Sequence, residues 1–180
     1  MNSEQLRAEQ LIYQRIGEFT VSFQWIENRL REIGWQILDP SHLQRPPQSL
    51  RNLTNDKLVD RVHELFLDAL PKCKLSAALE NSFKECFESA VQKLHGLRKA
   101  RNRILHSAFI ELKAGGEVQG ILRSGTKLQI DEETGDVLFD QQYLAPESFS
   151  AEMASMAELV LFLNRAYLQL IHRYPLDSDP

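Results

Sequence analysis

The chain has 180 residues, of which 43% are hydrophobic and 26% charged, a composition typical of a globular protein and unlike that of a disordered or fibrous chain. Its 21 Lys and Arg against 25 Asp and Glu give a formal net charge of -4, so the whole molecule lacks the basic excess that is typical of nucleic-acid-binding proteins. No window approaches 18 consecutive apolar residues, and the first residues lack the pattern of a signal peptide, which together predict a cytoplasmic protein.

Neither a metal site nor a cofactor is expected from the sequence. Cys73 and Cys86 are too few for a disulfide framework and have no metal-ligand spacing, so both are interpreted as free thiols. His42, His63 and His172 lie on different segments without a ligand pair at helical spacing.

The first long segment repeats apolar residues at steps that alternate between four and three, which is the period of a helix packed along a narrow seam. The seam consists of Ile12, Ile16, Phe19, Phe23, Ile26, Leu30, Ile33 and Ile37. Pro40 ends this helix because proline restricts the residue before it, and residues 40–52 are predicted to form a loop. A shorter helix follows, with Thr54 or Asn55 as its N-cap, and Pro71 breaks it. Its predicted inward residues are Leu58, Val62, Leu65 and Ala69.

The next long helix starts near Leu75 and again shows steps of four and three. Its seam is Phe83, Phe87, Ala90, Leu94, Leu97, Arg101, Ile104 and Ala108, so that an arginine interrupts an otherwise apolar series. Residues 115–140 change to short apolar runs broken by glycine-containing turns, which predicts a small β-hairpin or three-stranded insert with its last turn near Asp131 to Asp136. A final helix begins near Ser148 or Ser150, and Pro175 stops it.

Helices that each carry a single apolar seam bury those seams best by packing against one another in a bundle. The predicted fold is therefore all-α: an antiparallel four-helix bundle with a small β-hairpin insert between the third and fourth long helices. We expect one domain over residues 1–174, with the β insert at 115–140 and a flexible tail at 175–180.

The end of the third long helix combines an unusual set of polar residues. Between Glu88 and Glu111 there is no acidic residue, whereas five cations occur there: Lys93, Arg98, Lys99, Arg101 and Arg103. At about 100° per residue, Arg98, Asn102 and His106 share one face, while Arg101 and His106 point about 140° apart. The simpler interpretation is that Arg101 lies along apolar surface with its charge in water and that His106 is a surface or capping residue.

The string Arg101-Asn102-Arg103-Ile104-Leu105-His106 resembles the signature of HEPN domains, in which a histidine follows an arginine by four to six residues and a polar residue often follows the arginine. The predicted helical bundle, with this string on its third long helix, is similar to the fold of that family. The resemblance implies a homodimer through the third long helix and a composite cleft formed by two copies of the motif.

The resemblance further implies a metal-independent endoribonuclease, acting as a toxin or a defence effector with a possible antitoxin partner. His106 would assist proton transfer during attack of the RNA 2′-hydroxyl, Arg101 would hold the scissile phosphate, and Asn102 would orient either group. This assignment agrees with the chemistry of the side chains, since histidine exchanges protons near neutral pH and the guanidinium fork matches phosphate oxygens. The auxiliary RNA contacts would be Arg98 above all, together with Lys99 and Arg103. Arg103 projects elsewhere and is expected to be more solvated.

Two alternatives stay open at the level of the sequence. Some HEPN proteins are catalytically inactive, and the chain would then be a dimeric binding or regulatory module. In the other alternative, the chain is an unrelated helical bundle in which the six residues coincide by chance.

Overall fold

The computed structural model describes residues 3–41, 47–130 and 137–175. Within these ranges the chain forms five α-helices, two short 3₁₀ helices and one three-stranded antiparallel sheet. The helices are α1 (Ser3–Leu38), α2 (Gln48–Arg51), α3 (Asn55–Ala69), α4 (Ala77–Leu105) and α5 (Ser150–Arg173). The strands are β1 (Ser107–Ala114), β2 (Glu117–Ile130) and β3 (Val137–Leu144), and the 3₁₀ helices are Leu70–Cys73 and Pro146–Phe149. Among the described residues, no helix is both long enough and apolar enough to cross a membrane.

The prediction of an all-α four-helix bundle with a β-hairpin insert is wrong, because the described chain is a mixture of α-helices and a three-stranded sheet. Strand β1 begins at Ser107, eight residues before the expected insert, and β3 continues to Leu144. The apolar seam predicted for α4 includes Ala108, which lies four residues after Ile104 and therefore fits a helix. The same residue also fits the alternation of a strand. Short apolar runs of this kind satisfy both periods, so the boundary between helix and strand was misplaced.

The ends of the helices agree more closely with the sequence pattern. Helix α1 stops at Leu38, two residues before Pro40, and α3 begins at Asn55 with Thr54 as its N-cap residue. The Thr54 hydroxyl donates to the Asp56 carboxylate and accepts no capping hydrogen bond from a backbone N–H of the helix. Part of the predicted loop is the short helix α2, whereas residues 42–46, the turn at 131–136 and residues 176–180 of the predicted tail lie outside the described residues.

The described structure divides into two compact units, the first made of Met1–Val21 and Lys99–Met153. In this unit β2 is the central strand, with β1 and β3 antiparallel on either side. A two-residue turn joins β1 to β2 at Gly115 and Gly116, whose φ angles of 63° and 84° favour glycine. The buried apolar residues of the unit are Ile12, Phe19, Ala100, Ile104, Ile121, Leu144 and Phe149.

The second unit consists of Ser22–Arg98 and Ala154–Pro180, and its described part is helical. The predicted seam residues of α1 and α3 in this unit are buried, as are Phe87, Ala90, Leu94 and Leu97 of α4. An aromatic cluster occupies its centre, where the ring centroids of Phe66 and Phe87 are 4.5 Å apart and Phe162 meets Phe87 edge-on at 5.6 Å. In this unit the seams of α3 and α4 pack against each other and against α5, which explains why their apolar period predicted helices here.

Gly96 lies within α4 and offers a direct test of helix stability. Apart from the nearby backbone of its own helix, nothing lies within 4 Å of the place that a β-carbon would take on Gly96, so alanine fits there and removes conformational freedom from the unfolded chain. We expect Gly96→Ala to raise the free energy of unfolding by about 0.5 to 1 kcal/mol. Urea titration followed by circular dichroism measures this change.

Gly34→Ala is the matched control for this helix substitution. A β-carbon on Gly34 would lie 2.9 Å from Leu50 Cδ1 and 3.3 Å from Val62 Cγ2, so crowding opposes the gain in helix propensity. An equal gain from both substitutions would contradict the interpretation that space at Gly96 decides the outcome.

Candidate active site

The predicted site lies where α4 ends and the sheet begins. Leu105 is the last helical residue, His106 forms the turn, and β1 starts at Ser107. A helix therefore passes into a strand through a single residue, and this residue is the histidine of the predicted motif.

The backbone on both sides of His106 is held by hydrogen bonds. Its N–H donates to the carbonyl oxygen of Asn102 at 3.0 Å, and its own carbonyl accepts from Thr126 Oγ1 of β2 at 2.9 Å. The Ser107 hydroxyl donates to the carbonyl oxygen of Arg103, one of the last carbonyls of the helix, which lack partners within the helix. The exposed imidazole of His106 is thus carried by a fixed backbone.

Arg101 and Asn102 are both half-buried and contact each other directly. Arg101 Nη1 donates to Asn102 Oδ1 at 3.1 Å, which orients the guanidinium along the helix surface. No hydrogen bond within the described part of the chain joins either side chain to His106. A single copy of α4 therefore joins Arg101 to Asn102, whereas Arg101 and His106 point about 140° apart.

The cations of α4 fall into two groups according to their partners. Lys93 Nζ lies 2.7 Å from Glu158 Oε2, and Arg98 Nη1 lies 3.6 Å from Asp56 Oδ2, so both charges have a carboxylate nearby. Among the described residues, Lys99, Arg101 and Arg103 form no ion pair. The last two turns of α4 thus carry three positive charges that are available to an anion, near the negative end of the helix macrodipole.

Arg98 occupies a different environment from the one that the sequence suggested. It was expected to be the best auxiliary phosphate contact because it shares a face with Asn102 and His106. Its guanidinium instead lies beside Asp56, and its Nε atom is buried without a hydrogen-bond partner in the described structure. The pKa of Asp56 is lowered chiefly by the hydrogen bond from the Thr54 hydroxyl, with Arg98 the smallest of several contributions.

A buried arginine in the sheet, Arg123, was missed by the sequence analysis. Its side chain is only 2% exposed, and its Nη1 donates to Ser107 Oγ and to Asp140 Oδ2, each at 3.0 Å. Arg123 Nη2 donates to the other Asp140 oxygen, so the ion pair is bidentate. The pKa of Asp140 is lowered, chiefly by these hydrogen bonds, with a small contribution from the charge of Arg103.

This ion pair supports the end of α4 through Ser107. The Ser107 hydroxyl accepts from Arg123 and donates to the Arg103 carbonyl, so one hydroxyl connects the sheet to the helix terminus. The sequence feature that could have pointed to Arg123 is the alternation of side chains along a strand. Arg123 is two residues after the buried Ile121 and therefore lies on the same, inward face of β2. Arg123 is a positioning residue for the backbone at His106.

Among the described residues, no group of three or more His, Cys, Asp or Glu side chains is placed to hold a metal ion. Comparison with protein-family models finds no match, and comparisons with curated proteins and with solved structures find none either. The similarity to HEPN domains thus depends on residues 101–106 and stays a prediction.

Proposed function

We propose that this chain is a metal-independent endoribonuclease that uses Arg101, Asn102 and His106. The observation that carries the proposal is an exposed imidazole on a fixed backbone, at the end of a helix whose last two turns hold three cations without a carboxylate partner in the described structure. Positive charge at this place attracts an RNA backbone even though the net charge of the chain is -4.

Each residue has a chemical role in the proposed reaction. His106 removes the proton of the RNA 2′-hydroxyl or returns a proton to the 5′-oxygen that leaves the phosphorus. The 2′-oxygen forms a bond to phosphorus as the bond to the 5′-oxygen breaks, so the products end in a 2′,3′-cyclic phosphate and a 5′-hydroxyl. Arg101, oriented by Asn102, holds the phosphate and stabilises the charge that develops on its oxygens.

The geometry of one helix makes a second copy part of this proposal. Since Arg101 and His106 point about 140° apart, one chain does not present both to a single phosphate. A homodimer through the end of α4 would allow the arginine of one copy and the histidine of the other to meet at one cleft. The biological setting follows only from the family resemblance: a cytoplasmic toxin or defence effector, with a possible antitoxin partner.

RNA cleavage in the presence of EDTA tests the proposal. Labelled RNAs of varied sequence are incubated with the wild type and with Arg101→Ala and Arg101→Lys variants, and the cleaved RNA is resynthesised with a 2′-deoxy sugar at the scissile position. We expect cleavage by the wild type, strong loss with both variants, because lysine lacks the bidentate fork, and no cleavage of the deoxy substrate. Cleavage that persists in Arg101→Ala, or at the deoxy position, would exclude the mechanism. Binding without any cleavage would favour the inactive binding or regulatory module.

The unpaired cations predict a specific salt dependence of RNA binding. Lys99→Gln and Arg103→Gln should each reduce the slope of log Kobs against log salt by about 0.7, the value for one phosphate contact on a single strand. Fluorescence anisotropy of a labelled single-stranded RNA between about 50 and 200 mM salt measures the slope.

Lys93→Gln is the matched control for these cations, because Glu158 already lies 2.7 Å from Lys93 Nζ. We expect its slope to equal that of the wild type. Equal effects of Lys93→Gln and Lys99→Gln would mean that RNA does not distinguish the end of α4 from the rest of the helix.

A further inference from the structure

One face of the three-stranded sheet is apolar and exposed. Ile110 of β1 pairs with Leu122 of β2, which pairs with Tyr143 of β3, so these three side chains form a row on the same face. The face also carries Leu112, which is two residues after Ile110, and Phe139, which is four residues before Tyr143. Ile130 belongs to this face as well, because it pairs with residue 137, which is two residues before Phe139 on β3. We call this surface the outer sheet face and define it by Ile110, Leu112, Leu122, Ile130, Phe139 and Tyr143.

The two faces of the sheet differ sharply in exposure. On the opposite face Ile121, Arg123 and Leu144 are buried. On the outer sheet face, every large side chain except the half-buried Leu122 is between 37% and 67% exposed. An antiparallel sheet with one solvated face ordinarily carries polar residues on that face. The apolar composition of the outer sheet face therefore indicates a surface that is covered in the working protein.

Tyr143 is held in place on this face. A β-carbon on Gly120 would overlap the Tyr143 ring and hydroxyl, so the ring lies against the glycine backbone of β2. The hydroxyl donates to the carbonyl oxygen of Gln119 at 2.9 Å. A fixed aromatic ring loses little conformational entropy when a partner covers it.

The apolar area of the outer sheet face approaches what one partner contributes to a small protein interface. With about 200 Å² for each large side chain, the exposed fractions correspond to roughly 500 Å² of apolar surface. Ala108, Ser124 and Gln141 form another row of the same face and extend it. The total approaches the roughly 800 Å² that each partner contributes to a stable complex.

The charges around this face argue against a nucleic acid as its ligand. The described strands offer no basic excess to a polyanion, because their three cations, Lys113, Arg123 and Lys127, are matched by three acids, Glu111, Glu117 and Asp140. None of the residues that define the outer sheet face, nor those of the row that extends it, is charged. Two identical faces of this kind meet without placing like charges opposite each other.

We propose that the outer sheet face binds the same face of a second copy of this chain, forming a two-fold symmetric β-sandwich. Gln141 lies midway between Phe139 and Tyr143 on β3, and an axis near Gln141 places Phe139 of one copy against Tyr143 of the other. The six residues that define this surface belong to the strands and include none of Arg101, Asn102 and His106, so the pairing does not depend on whether the chain cleaves RNA.

Light scattering coupled to size-exclusion chromatography tests the interface. Phe139→Lys/Tyr143→Lys places four cations at the proposed contact of a pair, whereas Leu161→Lys/Leu168→Lys makes the same change at two exposed leucines of α5. We expect the sheet contact to weaken at least about 100-fold in the sheet variant, so that its mass falls below that of the wild type even where copies still pair at the end of α4, and we expect the α5 variant to keep the wild-type mass. Circular dichroism shows whether each variant keeps the fold.

Cysteine cross-linking tests the position of the axis without disturbing the apolar residues. In a Cys86→Ser background, which removes the exposed native thiol, Gln141→Cys should form a disulfide between two copies under mild oxidation. Gln142→Cys is the control, because residue 142 pairs with Arg123 and so lies on the opposite face. Equal masses of the wild type and the two lysine variants, or cross-linking at 141 no faster than at 142, would overturn the proposal.

Discussion

His106→Ala is expected to reduce the rate of RNA cleavage by at least about 100-fold, because a positioned acid or base contributes about 10²- to 10⁴-fold to such a reaction. The same substitution should leave the fold intact. The side chain is exposed, and the hydrogen bonds of the residue in the described structure, to Asn102 and from Thr126, use its backbone atoms. The cleavage rate is measured with saturating protein over a single turnover, so that product release does not limit it.

His172→Ala is the matched control for His106→Ala. His172 is also exposed and also lies near the end of a long helix, but that helix is α5, and His172 carries no proposed role. We expect its cleavage rate to equal that of the wild type. If His106→Ala retained the wild-type rate, the histidine would have no part in catalysis, and the proposed reaction would have to be abandoned.

Arg123→Met is expected to cause the largest loss of stability among the substitutions considered. It removes a guanidinium that is 2% exposed and leaves the Asp140 carboxylate and the Ser107 hydroxyl without their donor. Breaking a buried pair in this way costs several kcal/mol, and since Asp140 is one-third exposed we expect about 2 to 4 kcal/mol. For a chain of this size the melting temperature should fall by roughly 5 to 15 °C.

Arg61→Met provides the comparison for the buried ion pair. Arg61 and Glu64 also form an ion pair, at 3.1 Å, but both side chains are largely in solvent. Such surface pairs contribute about 0 to 1 kcal/mol, so this variant should unfold close to the wild type. Equal losses from Arg61→Met and Arg123→Met would show that burial of Arg123 adds nothing to stability.

The loss of stability in Arg123→Met depends on pH through the pKa of Asp140. Hydrogen bonds from Arg123 hold that pKa below its ordinary value, so the pair stabilises the fold above the unfolded-state pKa of about 3.9. The contribution is lost as the pH falls through the lower pKa of the folded state. The stability difference between wild type and Arg123→Met should therefore be constant from about pH 7 to 5 and shrink below about pH 4, as urea titrations at several pH values will measure.

Much of the helical structure was predictable because its determinants are local. The seam from Ile12 to Ile37 repeats at the helical period, and of its eight residues only Ile16 is not fully buried. Pro40 and Pro71 mark the ends of α1 and α3 because proline restricts the backbone beside it. The adjacency of Arg101 and Asn102 follows in the same way from their places in one helix.

The sequence also indicated that strands lie between the third and fourth long helices, but not where they begin. Ala108 fits a helix and a strand equally well, and the decision depends on β2, since the Thr126 hydroxyl and Arg123 fix the backbone from His106 to Ser107. Those partners are 16 and 20 residues away along the chain. No local pattern contains that information.

The identity and spacing of Arg101, Asn102 and His106 are thus determined by the sequence alone, as are the helical seams that surround them. The tertiary structure decided that the helix ends at Leu105, that Arg98 lies beside Asp56, and that Arg123 is buried with Asp140. The physical reason is the range of the interactions. Helical periodicity acts over three or four residues, whereas strand pairing and ion pairs join residues that only the folded chain brings together.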